Sequence, residues 1–201
     1  MANYIKVYLV RHGQTKWNAE EKPAPKNAKL SEAGKKQAEK MAEFFKDIPI
    51  TSIYSSPTDR TLQTSKSVLK YHKLKIIECP AFIDRNHGAL IGLTHKQMQE
   101  LIPDLEAQWE HDGVDWRPPG NGETMRETFQ RVIKEFSRII KNHNPRDTIL
   151  IVTHASAIKC LLHKFCNEKI NTIFDRPKPN NCEITEVLWN NGPKRIKCVL
   201  K

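Results

Sequence analysis

Apolar positions recur along the chain with two periods. The runs "IKVYLV" at 5–10 and "TILIV" at 148–152 are short and unbroken, and they predict strands covered on both faces. Between them the period lengthens to that of a helix. Ser31 opens one helix, in which Ala38, Met41, Ala42 and Phe45 fall on one stripe. "ITSIYSS" predicts a second strand, stopped by Pro57, and Pro57 suits the first turn of a helix because its missing N–H costs nothing there. That helix is expected to run to about Tyr71 and to bury Leu62, Ser65 and Leu69. "KIIEC" predicts a third short strand. A longer helix, from about Glu123 to Asn142, carries Met125, Phe129, Val132, Phe136 and Ile139 on one stripe. "TILIVTH" leads into a helix with Ile158, Leu161, Leu162 and Phe165, and "CEITEVLW" and "RIKCVL" close the chain as strands. Alternating strands and helices of this kind predict an α/β, three-layer sandwich with a mostly parallel central sheet flanked by helices. The expected organisation is a single domain over residues 1–201.

Composition narrows the classes. The chain has 201 residues, 38% hydrophobic and 28% charged, which is the balance of a globular domain able to bury a core without staples. No apolar run approaches the ~20 residues of a membrane span, so no membrane partner is expected. The start, "MANYIKVYLVRHG", has a short apolar stretch and no small-residue cleavage site, so no signal peptide is expected. Five cysteines, an odd number without a CxxC pair, suggest neither a disulfide framework nor zinc, and a reduced cytoplasmic setting is expected. The net charge of +10 favours anionic ligands. The charge is scattered, with Lys22, Lys26 and Lys29 in a loop, Lys35, Lys36 and Lys40 on a helix, and Lys194, Arg195 and Lys197 near the end, which reads as solvated faces. No strand interleaves aromatic and basic residues as a base-stacking platform would, so nucleic acid is not expected. Nothing in the pattern specifies an oligomer.

The two clearest strands both end in histidine, at His12 and His154. Ligands of open α/β sheets bind beyond the carboxyl ends of strands. "IYSSPTDR" ends near a helix N-terminus and reaches Arg60 within its first turn, so Arg11, His12, Arg60 and His154 are expected to converge. Two arginines and two histidines make a poor cation site, and the eight histidines show no metal-ligand spacing, so neither metal nor cofactor is expected. The natural guest is a phosphoryl group on a small molecule. Guanidinium pairs oxygens bidentately, and the phosphoryl transition state spreads charge over three oxygens.

These residues resemble a known family. "VRHGQTKWN" looks like the RHG motif of the histidine phosphatase superfamily, in the branch that includes the cofactor-dependent phosphoglycerate mutases. "LSEAGKKQA", "IYSSPTDRTLQTS", "FIDRNHGALIGLT", "PPGNGETMRETFQRV", "ILIVTHASAIK" and "NNCEITEV" match further blocks in the family's order and span nearly the whole chain. The resemblance implies that His12 takes the phosphoryl group while Arg11, Arg60 and His154 clamp its oxygens. It places the acidic proton donor at Asp84, a phosphate-pocket residue at Asn18, and substrate contacts at Arg85 and His87. Chemistry agrees: imidazole attacks only through an unprotonated nitrogen, which nearby positive charge favours, and the other nitrogen should donate to a backbone carbonyl. A purely structural alternative for Asp84 is an ion pair with Arg85.

The chain also departs from the mutase pattern. The acid is aspartate where mutases have glutamate. His95 stands for a lysine, and Glu110 and His111 stand for an arginine pair that would hold a second phosphate; Glu110 is expected to repel it. The reading is a metal-independent phosphatase hydrolysing a small phosphomonoester through phosphohistidine. The alternatives are a cofactor-dependent phosphoglycerate mutase and a non-catalytic basic binding module. Specificity is assigned to loops at 19–29 and 94–121; Trp109, Trp116, Pro118 and Pro119 are expected to wall the mouth.

Overall fold

A computed structural model describes residues 3–201. Strand β1 (Ile5–Arg11) is followed by a short helix α1 (Lys16–Ala19), helix α2 (Glu32–Phe44), β2 (Ser52–Ser55), α3 (Asp59–Val68) and β3 (Ile76–Glu78). Two short helices, α4 (His95–Leu101) and α5 (Leu105–Asp112), precede the long α6 (Met125–Lys141). The chain closes with β4 (Thr148–Thr153), α7 (Ala155–Phe165), β5 (Ile184–Trp189) and β6 (Pro193–Leu200).

The strands form one sheet in the order β3-β2-β4-β1-β5-β6. β3, β2, β4 and β1 pair in parallel, while β5 runs antiparallel to both β1 and β6. All six residues of β4 are buried, as a strand with helices on both faces requires. Alternate residues of β1 part company: Val7 and Leu9 join the core under α6 and α7, Tyr8 and Val10 the core under α2. The expected three-layer sandwich is present, with its parallel part at the centre.

Caps explain where the helices begin. Ser31 Oγ accepts from Gly34 N (3.1 Å), and Thr124 and Glu127 cap α6 reciprocally. One expectation is corrected. Pro57 lies before α3 rather than in its first turn, because Thr58 is the capping residue and its N–H donates to Thr61 Oγ1 (3.3 Å). α3 also stops at Val68, short of Tyr71. Its buried stripe is Thr61, Thr64, Ser65 and Val68, whereas Leu62 and Leu69 are only half-buried. Thr64 and Ser65 return their hydroxyls to the carbonyls of Arg60 and Thr61 (2.7 and 2.8 Å), and Thr64 Oγ1 also accepts from Gly13 N (3.0 Å) where the chain leaves β1.

At the end of β1 two backbones touch. A Cβ on Gly13 would lie 2.5 Å from Gly34 O, and one on Gly34 2.0 Å from Gln14 O. Glycine at both places lets α2 begin directly against the chain that leaves β1. No helix among the described residues is long and apolar enough to cross a membrane.

Candidate active site

Parallel pairing sets Arg11 opposite Thr153, so His12 and His154 emerge from adjacent strand ends. His12 N donates to Thr153 O (3.0 Å), and the two imidazoles meet edge to face, 5.1 Å between centroids. β2 lies on the far side of β4. Its continuation brings Ser56 Oγ within 2.8 Å of His154 Nε2, and α3 then delivers Arg60, which is 2% exposed.

Hydrogen bonds define the state of His12. Its Nδ1–H donates to Gly13 O (2.7 Å), which leaves Nε2 with the lone pair. Arg60 Nε donates to that lone pair at 3.2 Å. Burial lowers the His12 pKa well below its ordinary value, and His154, Arg60 and Arg11 lower it further. The ring is therefore neutral at physiological pH, with Nε2 facing the cavity cations. His154 is pushed down to about 3, first by burial and then by Arg60 and Arg11, against the opposing charge of Asp84.

Asp84 comes from the loop after the turn Pro80–Phe82. Its Oδ1 accepts from Ser156 Oγ (2.5 Å) and from Arg85 N (3.1 Å). Its Oδ2 lies 3.7 Å from both Arg60 and His154 Nδ1. Burial alone would raise its pKa, but His154, Arg60 and His87 and the Ser156 hydrogen bond hold it well below the usual carboxylate range. His154 is neutral at pH 7, so Arg60 supplies the charge that keeps Asp84 ionised.

Arg11 NH1 donates to Pro179 O (2.7 Å) and Arg60 NH1 to Pro25 O (2.8 Å), which fixes both guanidinium planes. Arg11 Nε and His154 Nδ1 are buried polar atoms without a hydrogen-bond partner among the described residues. An anion seated beside His12 would satisfy both. With Ser56 Oγ–H donating to His154 Nε2, the Nδ1 nitrogen of His154 carries the proton and becomes a donor.

A cavity of about 420 Å³ opens here, lined by Arg11, His12, Asn18, Asp84, Arg85 and His87, while Arg60 and His154 do not line it and lie buried against His12 and Asp84. The expected five, Arg11, His12, Arg60, Asp84 and His154, are thus brought together. Asn18 reaches the cavity while its Oδ1 accepts from Thr15 N (3.3 Å) at the start of α1. Arg85 does not pair with the Asp84 carboxylate through its side chain. Its Nε and NH2 bind Glu123 O (2.7 Å) and Trp116 O (3.0 Å), so it braces the wall. Burial lowers the pKa of His87.

The wall opposite the charged floor is apolar. Trp109 stacks on Trp116 (5.9 Å) and meets Phe174 edge-on (5.8 Å), and all three line the cavity. Pro118 and Pro119 do not line it. The expectation for Glu110 and His111 is corrected: both are exposed and outside the cavity. α5 turns Leu105 and Trp109 inward, and the next two positions rotate ~100° and ~200° away, toward solvent. Glu110 therefore repels nothing in the site.

Sequence reasoning missed Ser56, Ser156, Lys159, Lys178 and the carbonyl of Pro179. Ser156 had a signal, since it follows His154 by two residues in the first turn of the same helix.

The ends of β1 and β4 and the first turn of α3 thus bring two histidines and two arginines together. The chain belongs to the histidine phosphatase superfamily (branch 1), whose sequence model matches residues 7–200. It is 31% identical over 187 residues to Uncharacterized phosphatase PhoE of Bacillus subtilis (strain 168), covering 91% of this chain and 90% of that protein. It is 27% identical over 189 residues to Phosphoglycerate mutase-like protein 4 of Arabidopsis thaliana, covering 92% of this chain and 76% of that protein. Bacillus stearothermophilus YhfR has the same fold, with a TM-score of 0.84 at 24% identity over 98% of this chain and 96% of that one.

Proposed function

We propose that the chain is a metal-independent phosphatase that hydrolyses a small phosphomonoester through a phosphohistidine on His12. The observation that carries this reading is the His12 ring, with Nδ1–H held by Gly13 O and Nε2 lying beside Arg60. That geometry fixes a neutral nucleophile before substrate arrives.

Arg11, Arg60 and His154 Nδ1–H hold the phosphoryl oxygens. His12 Nε2 attacks phosphorus as the ester P–O bond breaks, and the leaving oxygen takes a proton from Asp84. Asp84 is ionised in the free enzyme, so its proton must arrive with the substrate. A phosphomonoester has its second pKa near ~6, and its monoanion brings that proton in. A dianion between Asp84 and Arg60 offsets the charge that kept Asp84 ionised, so the proton passes to the carboxylate. In the second half, Asp84 takes a proton from water as the water oxygen attacks phosphorus. The P–N bond breaks, neutral His12 is regenerated, and the proton on Asp84 leaves with the released inorganic phosphate, which restores the ionised carboxylate.

The apolar wall of Trp109, Trp116 and Phe174 is the surface for the alcohol part of the substrate. Two features support hydrolysis over isomerisation: the likeness to phosphatase PhoE, and an exposed Glu110 and His111, outside the cavity, at the positions where the resemblance places a mutase's arginine pair. The second reading, a mutase, is favoured by the likeness to the Arabidopsis protein. A panel of phosphorylated metabolites, read by phosphate release with excess chelator present, tests the proposal. Release that depends on His12 and survives chelator supports it. Interconversion of phosphoglycerate isomers faster than phosphate release would replace it with the mutase, and loss with chelator restored by metal would remove the metal-independent part.

A further inference from the structure

The cations facing the cavity are not all accounted for. Lys22 pairs with Glu20 (2.8 Å), and Arg85 is occupied by two carbonyls. Arg11 and Arg60 belong to the phosphoryl position. Lys159 and Lys178 remain. Both line the cavity, and neither is in any ion pair among the described residues.

Their placement is fixed by the fold. Lys159 stands one turn along α7 from Ser156, on the same face, and its Nζ donates to Phe174 O (3.2 Å), which leaves two donors free. Lys178 sits between Pro177 and Pro179 in a segment tied to the end of β1. Pro179 O accepts from Arg11, Asn181 Nδ2 donates to His12 O (2.9 Å), and Cys182 N donates to Arg11 O (2.9 Å). The charged neighbours of Lys178 are Arg11, Asp84 and Glu21, and those of Lys159 are Arg176, Asp175 and Lys178 itself. The order outward is therefore phosphoryl site, Lys178, Lys159. Burial lowers the pKa of both ammonium groups, and the neighbouring cations Arg11 and Arg176 add to it. Lys159 is half-buried, and Lys178 is an exposed side chain whose ammonium group is partly desolvated; an anion entering the cavity meets two ammonium groups that no carboxylate among the described residues holds at ion-pair distance.

Building on the phosphatase reading, we propose that Lys159 and Lys178 form an anion subsite beside the phosphoryl position. The substrate is then a phosphomonoester whose alcohol part carries a second anionic group, a carboxylate or a second phosphate. The aromatic wall takes the uncharged face of that alcohol.

The test uses three aryl phosphates of matched shape: 3-carboxyphenyl phosphate, its amide 3-carbamoylphenyl phosphate, and 1,3-phenylene bisphosphate. Phosphate release is measured for the wild-type chain and for Lys159→Met, Lys178→Met and the double variant. Charge-assisted hydrogen bonds predict a kcat/KM about tenfold or more higher for the carboxylate or the bisphosphate than for the amide. Whichever of the two leads names the anion. The double variant should erase that preference, and the amide reports that the variant is folded. Equal kcat/KM for all three esters in the wild-type chain would overturn the subsite. So would a loss in Lys178→Met that is the same for every ester and matched by weaker inhibition by inorganic phosphate, which would assign Lys178 to the phosphoryl group. Release from none of the three esters would instead strike the phosphatase reading beneath it.

Discussion

Ser156 Oγ donates to Asp84 Oδ1 at 2.5 Å across 72 residues of sequence. One oxygen of the carboxylate is thereby anchored to the first turn of α7. The other, Oδ2, is left between Arg60 and His154, where the leaving oxygen of a phosphoester would stand. Asp84→Asn should therefore slow esters with poor alkyl leaving groups by roughly 10²–10⁴-fold, and aryl esters with acidic leaving groups far less. Ser156→Ala should show the same pattern at smaller size, because it loosens the acid without removing it. Turnover measured across a leaving-group series checks both. A flat loss across the series would make Asp84 a structural residue.

The pH dependence follows from the titration states. The His12 pKa is well below its ordinary value, and His154 is down at about 3. Neither histidine changes charge between pH 5 and pH 8, so kcat/KM should show no acid limb near pH 6.5. It should fall about tenfold per pH unit above ~6, where the substrate monoanion that carries the proton is lost. A rise through pH 6.5, the signature of a histidine losing its proton, would contradict the neutral nucleophile.

The same depression makes stability depend on pH. A histidine whose folded pKa lies at about 3 resists a proton that the unfolded chain accepts at 6.5. The unfolded state then binds more protons across that window, and stability falls as pH drops below the unfolded value. For His154 the loss between pH 6.5 and pH 5 is about 2 kcal/mol. Urea unfolding at pH 7 and pH 5 should show at least this loss in the wild-type chain. In His154→Asn the loss should be smaller by about that amount, and an unchanged loss would remove the assignment.

Much of this site was legible in the chain. Strand ends at His12 and His154 follow from two apolar runs that each stop at a histidine, and the start of α2 follows from Ser31 placed ahead of a helical stripe, whereas α6 begins two residues after the expected Glu123, behind its cap Thr124. The supporting groups were not legible, because their roles depend on tertiary register. Ser56 matters only because β2 lies beside β4, and the Pro179 carbonyl only because its segment crosses the end of β1. The direction of Glu110 was hidden for another reason: α5 is two turns long, and its apolar positions are too few to define a face. In the stripe of α3 the burial of Ser65 was foreseen, while Thr64 was missed because its hydroxyl returns to the Arg60 carbonyl and so buries like an apolar residue.

Gly34 tests the backbone contact that shapes the floor of the site. Inside an exposed helix, glycine to alanine stabilises by up to ~1 kcal/mol. At Gly34 the added Cβ would stand 2.0 Å from the Gln14 carbonyl oxygen, which belongs to the loop after His12. Gly34→Ala should therefore destabilise by about 1–3 kcal/mol and lower turnover together with Tm. A raised Tm with full activity would show that the contact yields freely.

The central claim is that His12 carries the phosphoryl group, and trapping that intermediate tests it most directly. Substrate labelled with ³²P is mixed with the enzyme and quenched within one turnover, and the protein-bound label is mapped. Acid-labile, base-stable label on His12 is expected in the wild-type chain. None is expected in His12→Ala, which should still bind inorganic phosphate through Arg11, Arg60 and His154. Label on any other residue, or turnover retained in His12→Ala, would contradict the assignment of the nucleophile.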